Sequence, residues 1–155
     1  MFENMSEKSK RNYIFEGESS LEHYEGDFVV ACVDDRFSGI RDKFIKSLGV
    51  EHYDPKTPAG GAKVFSSPFE ATDTEHYLSE LARSIRLHLS KKVMLFAHHD
   101  CGAYGGFSNF DNDEDKELEF HRSEHEKAVG VIKERFPDIG VETYFIDNRG
   151  IVKTN

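Results

Sequence analysis

Residues 93–102 read VMLFAHHDCG, and this stretch indicates most about the fold of the chain. Its first five residues form a continuous apolar run that is too short for a typical helix, so they predict a buried strand. The next five residues are polar or small and contain two histidines, an aspartate and a cysteine. We therefore expect a strand that ends in a turn rich in metal-ligand side chains.

Strands and helices alternate on both sides of this stretch. Apolar runs predict further strands at residues 28–33, 62–65 and 141–146, the first of which ends at Asp34-Asp35. Helical spacing predicts helices over 37–48, over a long segment that Thr72-Asp73 would cap, and over residues 128–136. This order is typical of an α/β fold with a mainly parallel central sheet flanked by helices.

Composition narrows the class of protein. The 155 residues suit a single domain over 1–155, with a polar N-terminal arm over residues 1–20. The net charge of −9 argues against nucleic acid or an anionic membrane as a partner, because both attract clustered positive charge. The start lacks the apolar core of a signal peptide, and no apolar run reaches the roughly 18 residues that span a bilayer. We expect a cytoplasmic protein.

The chain has two cysteines, and each follows or ends a predicted buried strand. In a reducing compartment a lone disulfide is uncommon, so Cys32 and Cys101 suggest a metal site. The carboxyl ends of neighbouring parallel strands meet at one edge of a sheet, where the two thiols would converge. Asp34 and His98 add a carboxylate and an imidazole nearby, and these are donor types that Zn²⁺ prefers. The pattern predicts zinc held by Cys32, His98 and Cys101, with Asp34 as a fourth, exchangeable ligand.

The pairs Cys32-x-Asp34-x-Arg36 and His98-x-x-Cys101-Gly102 resemble the signature of β-class carbonic anhydrases. The resemblance covers about residues 27–104 well. It implies a β-carbonic-anhydrase-like fold, Zn²⁺ on the Cys, His and Cys, and an Asp34 that either pairs with Arg36 or closes the metal site. It also implies a substrate-binding turn at Gly102, a homodimer or dimer of dimers, and a carbonate dehydratase (lyase) activity on CO₂ and bicarbonate.

The residue chemistry is compatible with that activity. Two thiolates and an imidazole leave a formally neutral zinc with one open position, where a bound water can lose its proton near pH 7 and attack CO₂. Arg36 can hold Asp34 in a bidentate grip. Two alternatives remain: a hydrolase of carbon disulfide or carbonyl sulfide, and a non-catalytic zinc-binding protein. Thr57-Pro58 stand where the resembled family usually has Arg-Asn, which affects dimer contacts or the pocket.

Other motifs receive plainer interpretations. Residues 121–125 read HRSEH and match the H-x-x-E-H pattern of some zinc peptidases, but they also extend an apolar helical stripe, so packing explains them. The segment GGAK at 60–63 lacks the full phosphate-loop spacing. The acidic run from Asp111 to Glu117 predicts a solvated loop. His99 and Asp100 are either pocket or turn residues, and four further histidines read as solvated: His23, His52, His76 and His88.

Overall fold

A computed structural model describes residues 11–155, so the first ten residues of the predicted arm lie outside the described part. Five strands form one sheet in the order β2-β1-β3-β4-β5. The strands are β1 Asp27–Val30, β2 Tyr53–Lys56, β3 Lys92–His98, β4 Gly140–Ile146 and β5 Ile151–Lys153. The helices are α1 Ser38–Ser47, α2 Lys63–Ser66, α3 Ala71–His88 and α4 Glu114–Arg135. Short 3₁₀ helices cover Asp35–Phe37, Gly102–Tyr104 and Phe107–Phe110.

Four of the five strands run parallel, which confirms the predicted α/β class with a mainly parallel sheet. Strand β1 pairs with β2 and β3, and β3 pairs with β4, all in parallel, whereas β5 is antiparallel to β4. In the register, Val30 lies opposite Leu95. The chain therefore leaves β1 beside the middle of β3. The segments that follow the two strands share one edge of the sheet.

The sheet carries unequal cores on its two faces because side chains alternate along each strand. One face packs Phe28, Val30 and Leu95 against α2, α3 and α4, with Leu81 and Ile132 fully buried. Among the helices of residues 11–155, α1 covers the other face. Its core consists of Val29, Ala31, Ile45, Met94, Phe96, Tyr144 and Ile146. Each fully buried side chain of this size contributes roughly 1.5–3 kcal/mol of hydrophobic free energy, so both faces fix the strand ends.

The strand predicted at residues 62–65 is wrong, since this segment forms the short helix α2. Gly60 and Gly61 precede it in the left-handed region, with φ of +84° and +57°. A Cβ on Gly61 would lie 2.8 Å from the carbonyl oxygen of Phe96, so the loop crosses directly against β3. The missing strand is β2, which contains Pro55. A proline cannot donate a ladder hydrogen bond, and β2 tolerates it because it is an edge strand with one neighbour.

The helices follow the predicted periodicity, with displaced ends. Helix α3 is capped by Glu70 and Asp73 in a reciprocal capping box, two residues before the predicted cap. Helix α4 begins at Glu114, ahead of the predicted helical stripe over 121–136, so the predicted solvated loop over 111–117 is half helix. Within residues 11–155, none of the helices combines the length and the apolarity needed to cross a bilayer.

Candidate metal centre

Three predicted ligands converge at the carboxyl edge of the sheet. Cys32 follows the end of β1 by two residues, His98 is the last residue of β3, and Cys101 lies in the loop behind it. Their ligand atoms all lie within 4.8 Å of one another, and the two Sγ atoms are 3.9 Å apart. All three side chains are almost fully buried. Among residues 11–155 this is the one group of three or more potential ligands gathered so closely.

The geometry of this group fits a tetrahedral zinc ion. Two sulfurs that each lie about 2.3 Å from a tetrahedral zinc are about 3.8 Å apart, close to the observed separation. The Nδ1 of His98 lies 2.7 Å from the carbonyl oxygen of His99, to which it donates. That bond leaves a lone pair on Nε2, which is buried and has no hydrogen-bond partner among the described residues. A buried imidazole nitrogen without a partner is destabilising unless a ligand occupies its lone pair.

The two thiols influence each other strongly. The hydrogen bond from Cys101 lowers the pKa of Cys32, and the backbone N–H of Gly60 donates to Cys32 Sγ at 3.3 Å. The neighbouring Cys32 sulfur in turn raises the pKa of Cys101, and burial raises it further. The proton of one thiol therefore stabilises the thiolate of the other. A divalent cation replaces that proton and stabilises both thiolates, as metal binding to cysteines requires.

Asp34 lies beside this group but is directed towards Arg36. The Nε of Arg36 lies 3.1 and 3.0 Å from the two carboxylate oxygens, and Nη2 lies 2.7 Å from Oδ2. These hydrogen bonds from Arg36 lower the pKa of Asp34 to about 2. The Oδ2 of Asp34 remains 4.0 Å from Nε2 of His98. The structure thus has the paired arrangement of Asp34 and Arg36, with the carboxylate close enough to reach the same centre.

Arg36 also contacts the ligand loop, the segment after β3 between His98 and Cys101. The sequence did not reveal this role. Its Nη1 donates to Oδ2 of Asp100 at 3.2 Å, and its Nη2 donates to the Asp100 carbonyl oxygen at 3.0 Å. The backbone N–H of Phe107 donates to Oδ1 of Asp100 at 2.8 Å and lowers the pKa of that carboxyl. Asp100 lies in the turn after β3, in agreement with the second of its two predicted roles. Its contacts with Arg36 connect this turn to the loop after β1.

Glu117 was assigned to a solvated loop, and that prediction is wrong. It lies in the first turn of α4, is 1% exposed and contacts the ligand loop with both oxygens. Oε1 lies 2.6 Å from Nδ1 of His99, and Oε2 accepts from the backbone N–H of Asp100 at 2.9 Å. A signal was available in the sequence, because extending the helical stripe back from Ala128 through Glu124 and His121 places Glu117 on the same buried face.

The remaining candidates lie apart from the three ligands. A Cβ on Gly102 would meet nothing within 4 Å, so the predicted substrate turn borders open space. His121, Glu124 and His125 of the H-x-x-E-H motif are buried in α4, in agreement with packing as their explanation. Of the four histidines predicted to be solvated, His88 is instead half-buried and contacts Asp54. His23, His52 and His76 are exposed, and the ring of His52 stacks on Tyr24.

Two bacterial proteins are similar to the chain in sequence. The chain is 31% identical over 134 residues to an uncharacterized protein of Rickettsia conorii, covering 81% of this chain and 69% of that one. An uncharacterized protein of Rickettsia bellii is 28% identical over 128 residues, covering 81% and 78%.

Two solved structures are more distant. The β-carbonic anhydrase CafA of Aspergillus fumigatus matches with a TM-score of 0.45 at 13% identity, covering 86% of this chain and 76% of that one. A carbonic anhydrase from Glaciozyma antarctica matches with a TM-score of 0.47 at 17% identity, covering 99% and 95%.

A family model supplies the assignment. The model described as "Putative carbonic anhydrase" matches residues 24–154, which include all five strands, the three converging ligands and the Asp34–Arg36 pair. The match covers most of the chain and extends the resemblance seen in the two ligand motifs to the whole sheet. The chain belongs to the carbonic-anhydrase-like family that this model describes.

Proposed function

We propose that this protein is a zinc-dependent carbonic anhydrase that catalyses the reversible hydration of carbon dioxide to bicarbonate. The observation that carries the proposal is the convergence of Cys32, His98 and Cys101 within 4.8 Å, with Asp34 held beside them by Arg36. A purely structural zinc site is normally closed by four protein ligands. Three converging ligands and an adjacent, displaced carboxylate are typical of a site that leaves one position for a reactant.

The chemistry divides between the metal and the chain. Zinc on two thiolates and an imidazole supplies a nucleophile near neutral pH, because it lowers the pKa of the water that it binds. Asp34, with its pKa held near 2 by hydrogen bonds from Arg36, stays ionised and can accept a hydrogen bond from the reactant. Arg36 orients that carboxylate and keeps it from the metal position.

The surroundings of the site suit a small, weakly polar substrate. Phe37, Phe96 and Ile146 line a cavity of about 10 Å³, room for roughly one water molecule, together with Cys32, Asp34, Arg41 and His98. Phe37 also stacks on the His98 ring at 4.8 Å between centroids. These aromatic and aliphatic groups beside the candidate ligands lower the cost of desolvating an uncharged molecule such as CO₂, which would approach the metal position from outside this cavity. Bicarbonate, the charged product, would leave through the open space at Gly102.

The deciding experiment is a stopped-flow CO₂ hydration assay on zinc-loaded protein. We expect zinc-dependent turnover that disappears in the metal-free protein and in Cys101→Ser. Full zinc occupancy without CO₂ hydration at any pH would refute the proposal. Hydrolysis of carbon disulfide or carbonyl sulfide would then indicate the related hydrolase, and no activity on any of them would indicate a non-catalytic zinc protein.

We also propose that the protein acts as a homodimer or a dimer of dimers in the cytoplasm. Reduced thiols at the centre suit a reducing compartment. The described part of the N-terminal arm presents apolar side chains to solvent, and an isolated chain has little reason to expose so many together. They are Tyr13, Ile14 and Phe15, and Leu21 just after the arm is exposed as well.

A matching surface exists on the half-covered face of the sheet. Beside α1 an apolar groove is lined by Ile40, Phe44, Tyr144 and Ile151, with Lys43 and Lys153 at its rim. The arm carries acidic Glu16 and Glu18 next to its apolar residues, so the two surfaces are complementary in charge as well as in polarity. Exchange of arms between two copies would be symmetric, as in most homo-oligomers.

Light scattering tests this assembly. We expect a dimer or larger species at micromolar concentration, and a shift towards monomer in the double variant Ile14→Asp/Phe15→Asp. A monomer at all concentrations would contradict the proposed assembly. An oligomer that the double variant leaves unchanged would place the interface elsewhere.

A further inference from the structure

Glu117 stands out because it is a buried carboxylate that the proposed chemistry does not use. It is 1% exposed, yet neither Lys nor Arg forms an ion pair with it among the described residues. Burying a carboxylate without a fixed cation is costly unless hydrogen bonds compensate. Both oxygens of Glu117 are directed at the loop between His98 and Cys101, so the compensation comes entirely from the segment that presents two of the ligands.

That segment needs support, because Asp100 adopts φ +57°, in the left-handed region. Residues other than glycine occupy this region at a cost of order 1 kcal/mol. Asp100 is held there by contacts on every side: its N–H donates to Glu117, its side chain accepts from Phe107 and Arg36, and its carbonyl accepts from Arg36. The left-handed turn brings Cys101 back towards His98.

The same contacts connect Glu117 to Asp34. Glu117 fixes the backbone of Asp100, Asp100 accepts two hydrogen bonds from Arg36, and Arg36 holds Asp34 through three nitrogen–oxygen contacts. The chain of bonds runs from the first turn of α4 to the carboxylate beside the metal position. A residue at one end of such a chain affects both the ligand spacing and the position of Asp34.

We propose that Glu117 is a positioning residue of the metal centre, which holds His99 and Asp100 so that His98 and Cys101 keep zinc-binding geometry and Arg36 keeps Asp34 off the metal. The proposal rests on the proposed ligand set, but not on CO₂ as the substrate. It therefore predicts an effect on zinc affinity that can be measured whether or not the protein hydrates CO₂.

The test is the zinc dissociation constant, measured by competition with a chromogenic chelator. We expect Glu117→Ala to weaken zinc binding by about 10–100-fold, the usual range for residues that orient ligands from outside. Glu117→Gln keeps one oxygen acceptor for the Asp100 N–H and should give an intermediate loss of several-fold. Glu124→Ala is the matched control, since Glu124 is 3% exposed on the same helix and bonds Ser67 rather than the ligand loop.

A second readout separates positioning from general stability. Thermal unfolding of the metal-free proteins reports stability, and the Co²⁺-loaded proteins report ligand geometry through their visible absorption bands. We expect a changed cobalt spectrum in Glu117→Ala and a wild-type spectrum in Glu124→Ala, even if both variants unfold at a lower temperature.

Zinc binding by Glu117→Ala within two-fold of wild type would overturn the proposal. So would an equal loss of affinity in Glu124→Ala, which would indicate a general effect of removing a buried acid from α4. If Glu117→Ala does not fold, Glu117→Gln alone decides, and wild-type affinity in it would be the contrary result. A wild-type protein that binds no zinc would refute the ligand set itself, an outcome distinct from the failure of this proposal.

Discussion

The carboxyl end of β3 and the buried face of α4 both contain histidines whose Nε2 atoms have no hydrogen-bond partner within residues 11–155. In the first region this is His98, and in the second His121 and His125, one helical turn apart. All three rings are nearly inaccessible to solvent. The Nδ1 of His98 pairs with a carbonyl and that of His125 with the Thr154 hydroxyl. By burial and missing partners alone, the two regions would rank equally as metal sites.

They differ in what surrounds the free nitrogen. Around His98 two sulfurs lie within 4.8 Å, whereas the part of the chain seen in the structure gathers no such third ligand around the α4 histidines. His121 is surrounded by aromatic rings, those of Tyr104, Phe110 and Phe145. Burial holds the pKa of His121 near about 3 and that of His125 near about 4. An unpartnered nitrogen thus indicates a metal site when other donors converge on it, and a neutral packing residue otherwise.

The largest expected effect is on zinc content: substitutions in the first region should lose the metal, and substitutions in the second should not. Cys32→Ser and Cys101→Ser should each lose most of the metal, with affinity falling by well over the roughly 100-fold typical of outer residues. The double variant His121→Gln/His125→Gln should retain one zinc per chain. Metal analysis after dialysis against a chelator measures both.

Zinc removal should also lower the unfolding temperature of the wild type, because the metal binds the folded state alone. The same chelator treatment should leave the unfolding temperature of Cys101→Ser unchanged. Near-full zinc content in both serine variants would show that the cysteines are not zinc ligands. Loss of zinc from the double glutamine variant would indicate that the H-x-x-E-H motif of α4 binds the metal.

A second effect, of a few kcal/mol, concerns acid. The folded-state pKa values of His121 and His125 lie below the ordinary 6.5, so the unfolded chain binds more protons below that pH. Their contribution to stability is complete above pH 6.5 and decreases as the pH falls towards about 4 and then about 3. At pH 5 each histidine should cost about 2 kcal/mol, or about 4 kcal/mol for both.

Denaturant unfolding of the metal-free protein at pH 7.5 and pH 5 measures this loss without interference from zinc release. The double variant His121→Gln/His125→Gln should lose about 4 kcal/mol less between the two pH values than the wild type does. An equal loss in both proteins would show that these imidazoles are not the acid-sensitive groups.

The sequence predicted the central strands because their apolar runs are unbroken. Strands β1 and β3 and the last long strand β4 were located within a few residues, and with them the edge at which the cysteines meet. Strand β2 has no strand signature in the sequence, because Pro55 and its charged neighbours interrupt any apolar run, and the apolar run at 62–65 predicts a strand where a helix forms. Only the pairing of β2 with β1 favours an extended backbone there.

The site divides in the same way. The convergence of Cys32, His98 and Cys101 could be predicted since each belongs to a short local motif at the end of a strand. The helical stripe places Glu117 on the buried face of α4, but its contacts to His99 and Asp100 could not be predicted, because they depend on how α4 packs across a loop 17 or 18 residues distant. The bridge from Arg36 to Asp100 spans 64 residues and depends on the parallel pairing of β1 with β3. Bonds of this kind follow from tertiary packing rather than from motif spacing.

The smallest expected effects separate the roles of Asp34 and Arg36, which belong to the converging region alone. In Asp34→Asn the three other ligands should keep zinc, while CO₂ hydration falls by about 100-fold, the lower range for losing a proton acceptor. In Arg36→Ala the carboxylate loses its bidentate partner. Its Oδ2 already lies 4.0 Å from Nε2 of His98, so it can move onto the metal position.

We expect Arg36→Ala to retain zinc and to lose about ten-fold in turnover, less than Asp34→Asn, because the displaced carboxylate blocks the open position in only part of the molecules.

The pH–rate profile distinguishes the two variants from a general defect. Wild-type activity should rise between pH 6 and 9, since the zinc chemistry requires a deprotonated water. That rise cannot come from Asp34, whose pKa is held near 2 and which is therefore ionised throughout this range. Asp34→Asn should keep the shape of the pH–rate profile at a lower activity. Added imidazole or another buffer base should partly restore the activity of this variant. An Arg36→Ala protein as active as the wild type, or a wild type with a flat profile, would contradict this division of roles.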